Sequence, residues 1–202
     1  MRIVLASNNG KKLQELQNLL KQAPGAITLS TQREHGIPEA VEDGLSFVEN
    51  AIIKARHASR LSGLPAIADD SGLEVDALNG APGIYSARYA AQPGEGNSSD
   101  AANNALLLER MKHVPRPQRT ARFQCAIVLQ RFPEDPMPIV CQGTWEGMIL
   151  EQAAGTHGFG YDPLFFVPTH HCSSAELEPA VKNALSHRGQ ALQQLLARWP
   201  FH

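Results

Sequence analysis

Cysteine is scarce in this chain. The three present, Cys125, Cys141 and Cys172, are odd in number and show no C-x-x-C spacing. That argues against a disulfide scaffold or a zinc ribbon and fits a reducing compartment. Long apolar runs are also missing. Nothing approaches the roughly 20 consecutive apolar residues of a membrane-spanning helix. The opening run Ile3-Val4-Leu5-Ala6 is too short for a signal peptide, so the expected location is cytoplasmic, with no membrane partner. A basic excess is absent too: 18 Lys and Arg against 20 Asp and Glu leave a net charge of −2. That argues against a general binder of nucleic acid polymers, while a small phosphate ligand needs only a few placed cations.

What remains is ordinary globular composition, 43% apolar and 19% charged over 202 residues. This length suits a single domain over 1–202, or one core folded into two lobes. Residues 2–6 read as a buried strand, Ser7 to Gly10 as a turn, and Leu13, Leu16, Leu19 and Leu20 as the apolar stripe of a helix starting near Lys11. A second strand is expected over 26–30, then a polar loop from Thr31 to Gly44. Ser46 and Glu49 have capping-box spacing ahead of a helix that presents Phe47, Ala51, Ala55 and Ala58 and stops at Gly63. A short strand over 65–68 should run into a turn at Asp69-Asp70-Ser71-Gly72, with a separate strand over 73–77. A helix with Ala101, Ala105, Leu108 and Met111 follows. Residues 119–130 and 138–142 predict a long hairpin, and 145–150 a continuation of the sheet. Strand-like 164–167 and a last helix burying Ala191, Leu192, Leu195, Leu196 and Trp199, capped by Ser186, complete the pattern. There is no internal repeat. The mixture predicts an α/β protein with a mixed sheet, split into two lobes with a cleft.

Four segments carry chemistry. Ser7, Asn8, Asn9 and Gly10 sit where a helix begins, so unsatisfied backbone N–H groups and the helix dipole point outward, and Lys11 and Lys12 add charge. This suits a triphosphate cradle, although the Walker A pattern is absent. An ordinary polar turn is the simpler account, strained by cations placed against the dipole. Asp69-Asp70-Ser71-Gly72 ends an apolar strand. Two adjacent carboxylates repel, and a turn there would present both at a sheet edge, where a hard cation such as Mg²⁺ stabilises them. A carboxylate beside a metal also takes a proton from an attacking water. An Asx-turn closing the strand is the alternative. In Gly158-Phe159-Gly160-Tyr161-Asp162-Pro163 the glycines allow close backbone approach and the aromatics offer a stacking face, though alone the segment reads as a tight loop. Lys182 and Ser186-His187-Arg188-Gly189 supply donor-rich side chains suited to phosphate or carbonyl oxygen, though alone they read as a solvated helix start. His170-His171-Cys172 reads as a surface loop.

Taken together, these blocks resemble the non-canonical purine NTP pyrophosphatases, also called XTP/dITP diphosphatases or inosine triphosphate pyrophosphatases. The resemblance is carried by Ser7 to Lys12, by Phe47-Val48-Glu49-Asn50-Ala51 with Lys54-Ala55, and by Ala68-Asp69-Asp70-Ser71-Gly72-Leu73. It continues through Gly80-Ala81-Pro82-Gly83-Ile84-Tyr85-Ser86-Ala87-Arg88, then Gly158 to Pro163 and Ser186 to Gly189. The blocks keep the family's order and span nearly the whole chain.

The resemblance implies a two-lobed α/β fold around a long mixed sheet with the active site in the cleft, a homodimer, and Mg²⁺ as cofactor. It implies that Ser7, Asn8, Asn9, Gly10, Lys11, Lys12 and Lys54 bind the triphosphate. Asp70 becomes the catalytic carboxylate and, with Asp69, a metal ligand, and Ser71 touches substrate. Phe159, Gly160, Tyr161, Asp162, Lys182, His187 and Arg188 then hold the nucleoside. Two positions depart from the family. Its first block usually reads Thr-Gly-Asn, where this chain has Ser7-Asn8-Asn9. Its acidic metal-side loop residue falls on Glu42, with Glu39 as the alternative. The reading from a different class is a catalytically silent nucleotide-binding module, against which the intact Asp69-Asp70 pair speaks.

Overall fold

A computed structural model describes residues 1–7, 10–20, 27–92 and 94–201, the side chains of Lys11, Lys12, Glu15 and Leu19 excepted. Seven strands form one mixed sheet: β1 (Arg2–Leu5), β2 (Thr28–Thr31), β3 (Ala66–Val75), β4 (Thr120–Gln130), β5 (Ile139–Ile149), β6 (Phe165–Val167) and β7 (Cys172–Ser173). Their order is β2-β1-β3-β4-β5-β6-β7. β1 runs parallel to both neighbours, in register Ile3 with Leu29 and Val4 with Ala66. β6 is antiparallel to β5 and to β7. Among the described residues five α-helices accompany the sheet: α1 (Gly10–Leu20), α2 (Phe47–Ser62), α3 (Asp100–Arg110), α4 (Pro179–Leu185) and α5 (His187–Ala197). No described helix is long and apolar enough to cross a membrane.

The chain divides into two compact units. One comprises residues 1–70, 125–143 and 187–202, the other 71–124 and 144–186. Strands β3, β4 and β5 each contribute residues to both.

In the first unit the period-2 alternation of the strands decides everything that follows. Ile3, Leu5 and Ile67 pack with Leu16 of α1 and with Ala191, Leu192 and Leu195 of α5. Val4, Ala6, Ala66 and Ala68 pack with Ala51, Ala55 and Ala58 of α2. Small side chains on both partners let α2 lie close to the sheet. Ser46 caps this helix by accepting from the Glu49 N–H. The Glu49 carboxylate in turn accepts from the Leu45 N–H and the Ser46 hydroxyl. Gly63, at φ 69°, ends the helix in the left-handed conformation.

The second unit is built on Leu73, Val75, Leu107, Met111, Phe123, Trp145, Leu164 and Phe165. Its helix α3 is fixed at both ends. Asn103, 3% exposed, accepts from the Ala90 N–H and the Ser98 hydroxyl and donates to the Ala87 carbonyl. Arg119, 2% exposed, donates to the carbonyls of Met111 and Val114 just beyond α3, and to those of Ile149 and Leu150.

The structure corrects the sequence reading in several places. Residues 66–75 form one strand, so Asp69-Asp70-Ser71-Gly72 lies within β3 and makes neither a turn nor a sheet edge. Gly72 is buried within the strand, between half-buried Ser71 and buried Leu73, and the sheet overrides its turn propensity. β5 is likewise continuous through Gly143 and Gly147. Helix α4 and strand β7 went unforeseen, being too short to show a period. His170 and His171 are exposed, as expected of a surface loop, and the three cysteines are free thiols.

Candidate active site

The two adjacent aspartates separate because successive side chains of a strand point to opposite faces. Asp70 follows Ala66 and Ala68 onto the face covered by α2. There it meets Lys54, whose ammonium lies 2.8 Å from Asp70 Oδ1. The same ammonium is 3.1 Å from Glu42 Oε2. Glu42 thus converges with Asp70 on one ammonium, while Glu39 lines the cavity at Ser7. Burial by itself pushes the Lys54 ammonium down. The charges of Asp70, Asp69 and Glu42 together outweigh that effect and hold it above the ordinary lysine range.

Asn50 ties this cluster to the loop before α2. It stands four residues before Lys54, one helical turn away, and is 1% exposed. Its carbonyl oxygen accepts from the Gly44 N–H at 2.9 Å, and its amide nitrogen lies 3.5 Å from Asp70 Oδ2. The sequence reading assigned Asn50 no role. The signal that would have found it is an asparagine interrupting a face of alanines one turn before the lysine.

Asp69 faces the other way, with Ile67, towards α5. Arg188 reaches it from the first turn of that helix, with Nε and Nη2 both 3.4 Å from Asp69 Oδ2. Both side chains are almost wholly buried, at 5% and 1% exposure. Gly143 in β5 makes this approach available, because a Cβ there would collide with the backbone carbonyl oxygen of His187. Arg188, expected beside the nucleoside, thus has part of its guanidinium committed to a carboxylate. His187 is buried beside it at the helix start. The pair Asp69-Asp70 offers no shared chelating face, and no group of three or more metal-ligating side chains occurs among the described residues.

Ser7, at the end of β1, lines a cavity of about 530 Å³ with Thr31, Arg33 and Glu39. Gly10 opens α1 as the helix-start reading requires, one residue earlier than expected. Asn8 and Asn9 lie outside the described residues, and the side chains of Lys11 and Lys12 do too. Thr31, which ends β2 opposite Leu5 of β1, and Arg33 were not singled out in the sequence, where both read as part of a polar loop.

The remaining expected residues lie in the second unit. Ser71 follows Asp70 in β3 and is half-buried. Asp162 and Lys182 form a buried ion pair, 2.6 Å between Oδ2 and Nζ, at 5% and 10% side-chain exposure. Asp162 also accepts from the Ser174 hydroxyl at 2.6 Å and from the Phe159 N–H at 2.8 Å. Its acceptor capacity is largely spent on fixing its own surroundings. Lys182 Nζ stands 5.2 Å over the Phe159 ring. Gly158, at φ 77°, is required because a Cβ there would run into Asp162 Oδ2. The Tyr161 hydroxyl donates to the Ser86 carbonyl at 2.8 Å, and burial, aided by Tyr89 and Asp100, pushes its phenol above the usual range. Tyr161 is thus a neutral anchor, while Phe159 presents a ring face to Lys182.

The first unit therefore assembles an ammonium between two carboxylates. The second assembles an aromatic ring beside a lysine held in place by a saturated carboxylate. The model of the Ham1 family matches residues 3–198 of this chain. The dITP/XTP pyrophosphatase of Pseudomonas syringae pv. tomato is 60% identical over 196 residues, which cover 97% of this chain and 95% of that protein. The dITP/XTP pyrophosphatase of Vibrio cholerae is 56% identical over 194 residues, covering 96% and 94%. A solved HAM1 protein from Coxiella burnetii superposes with a TM-score of 0.89 at 48% identity, covering 98% of each chain.

Proposed function

Because this chain belongs to the Ham1 family, we propose that it hydrolyses non-canonical purine nucleoside triphosphates, namely ITP, dITP and XTP, to the monophosphate and pyrophosphate. The observation that carries the reading is the convergence of Asp70 and Glu42 on the Lys54 ammonium, at 2.8 and 3.1 Å. The full-length similarity to proteins named for this activity supports the same substrate class. The biological role that follows is removal of deaminated purines from the nucleotide pool.

The reaction forms a bond from water oxygen to the α-phosphorus and breaks the bond to the α–β bridging oxygen. Asp70 accepts the proton of the attacking water. Lys54 is placed to share its charge with phosphate oxygens as negative charge develops there, an effect of the kind that stabilises transition states in water-poor sites. The N–H groups at the start of α1, with Ser7, cradle the outer phosphates. Asn8, Asn9, Lys11 and Lys12 belong to the same cradle by resemblance.

The donor set fits Mg²⁺, which takes one or two carboxylates and completes its shell with water and substrate phosphate. Asp70 and Glu42 would hold it, while Asp69, turned to the opposite face and engaged by Arg188, would act through that pair. When bound, the ion would supply charge neutralisation and a lowered water pKa. Phe159 offers its ring to the base and Lys182 donates to a purine carbonyl, and by resemblance His187 and Arg188 also contact the nucleoside. The family resemblance further supports a cytoplasmic homodimer. Light scattering should then give about 44 kDa, twice the 21.9 kDa of one chain; a value of about 22 kDa refutes the dimer.

Incubation with ITP and Mg²⁺, with pyrophosphate and orthophosphate measured separately, tests the activity. Equimolar IMP and pyrophosphate are expected. Orthophosphate as the first product, or no hydrolysis of ITP above that of ATP, overturns the reading.

A further inference from the structure

Besides the bonds of Tyr161 and Asp162 already described, helix α3 grips the loop that carries Phe159 and Asp162 at Gly160. The Gly160 N–H donates to Asp100 Oδ2 at 2.8 Å, and the Gly160 carbonyl accepts from Asn104 Nδ2 at 2.9 Å. Asp100 and Asn104 stand four residues apart in the first two turns of α3, on one face of the helix. Both backbone polar groups of one residue are thus gripped by one rigid element. That element is itself fixed at its two ends, by Asn103 against residues 87–98 and by Arg119 beyond Met111. Gly160 sits at φ 61°, in the left-handed region, directly between Phe159 and Tyr161.

Asn104 is an unfavourable choice for local stability. Asparagine is a poorer helix former than alanine. Its Oδ1 is also buried with no hydrogen-bond partner among the described residues. What the side chain contributes is the bond to Gly160. Resting on the reading of Phe159 and Asp162 as the base-binding loop, we propose that Asp100 and Asn104 are positioning residues for base selection. They form a two-point clamp that fixes the Gly160 peptide groups, and through them the Phe159 ring and the Asp162–Lys182 pair, in the orientation that distinguishes purine bases.

A clamp of this kind predicts a split between base and phosphate recognition. Asn104→Ala and the isosteric but acceptor-only Asn104→Asp should raise KM for ITP and narrow the ITP-to-ATP ratio of kcat/KM by about 5- to 10-fold, the effect of losing one such hydrogen bond. Inhibition by inorganic tripolyphosphate, which has no base, should be unchanged in the same proteins. Asp100→Ala should behave like Asn104→Ala. Asp100→Asn keeps an acceptor for the Gly160 N–H and should restore the wild-type ratio, which a merely structural role for the charge at the helix start would not allow. Phe159→Ala serves as the control for the loop itself. If Phe159→Ala alters the ratio while the Asn104 and Asp100 variants leave it within about 2-fold, the clamp is refuted and the base site stands. If Phe159→Ala leaves the ratio unchanged as well, the base-site reading falls and the clamp falls with it. Equal impairment of Asp100→Asn and Asp100→Ala, or weakened tripolyphosphate binding in step with ITP, also overturns the proposal.

Discussion

Replacing Arg188 by methionine should destabilise the protein well beyond the effect of an ordinary surface change. Arg188 and Asp69 are 5% and 1% exposed, and the guanidinium approaches one carboxylate oxygen through two nitrogens. Methionine keeps the length and apolar volume but leaves Asp69 without its guanidinium in a site from which water is nearly excluded. Breaking a buried pair from one side costs about 3–5 kcal/mol. Both contacts are long, at 3.4 Å, so the lower end applies, about 3 kcal/mol. For a chain of this size 1 kcal/mol moves Tm by roughly 2–4 °C. The expected drop is therefore about 6–12 °C by calorimetry. Asp69→Asn in the same background removes the stranded charge, so the double variant should recover more than half of the loss. A single variant within about 2 °C of wild type, or a double variant whose losses simply add, refutes the pairing as a source of stability. The same proteins separate stability from selectivity. Arginine has only donors and suits a C6 carbonyl over an amino group. Loss of a direct base contact narrows the ITP-to-ATP ratio, whereas one common factor for ITP, ATP and GTP marks Arg188 as an anchor of Asp69 alone.

Asp70→Asn keeps the shape of the side chain but removes its basicity, and should lower turnover by about 10²–10⁴-fold with the fold retained; near-normal kcat at saturating Mg²⁺ contradicts its role. Gly143→Ala introduces a methyl group against the His187 carbonyl oxygen and should cost about 1–3 kcal/mol while displacing the start of α5, read as lower Tm with lower kcat/KM. Wild-type values for both would show that β5 and α5 tolerate the extra atom. At the β4–β5 turn, bonds from the Arg131 guanidinium hold the Asp135 carboxyl down at about 2 against the opposing push of burial. A depressed folded-state pKa stabilises above the unfolded value of about 4, and that stability is lost as pH falls through about 2. The Tm advantage of wild type over Asp135→Asn should thus be full at pH 6 and shrink towards pH 2; a constant difference across that range refutes the linkage.

Much of the scaffold was legible in the sequence because it rests on local chemistry. Apolar periodicity located β1, α1, α2 and α5. Ser46 with Glu49 marked the start of α2, and Gly63 its end. The chemistry-bearing residue types were legible too, since an ammonium, paired carboxylates and an aromatic loop each announce what they can bind. Which of them meet was not, because strand continuity and helix docking are set by packing partners distant in the chain. Turn propensity at Ser71-Gly72 suggested that both aspartates share an exposed turn. The sheet instead carries β3 straight through, and its two-residue period sends Asp70 to Lys54 and Asp69 to Arg188. Asn50 and Asn104 read as ordinary helix polar residues, and only the fold brings the first to Asp70 and Gly44 and the second to Gly160. The sequence by itself determined the element types, the family and the inventory of reactive groups. The tertiary structure decided which carboxylate faces which cation, because a strand's alternation has meaning only once each of its faces has been covered by a particular helix.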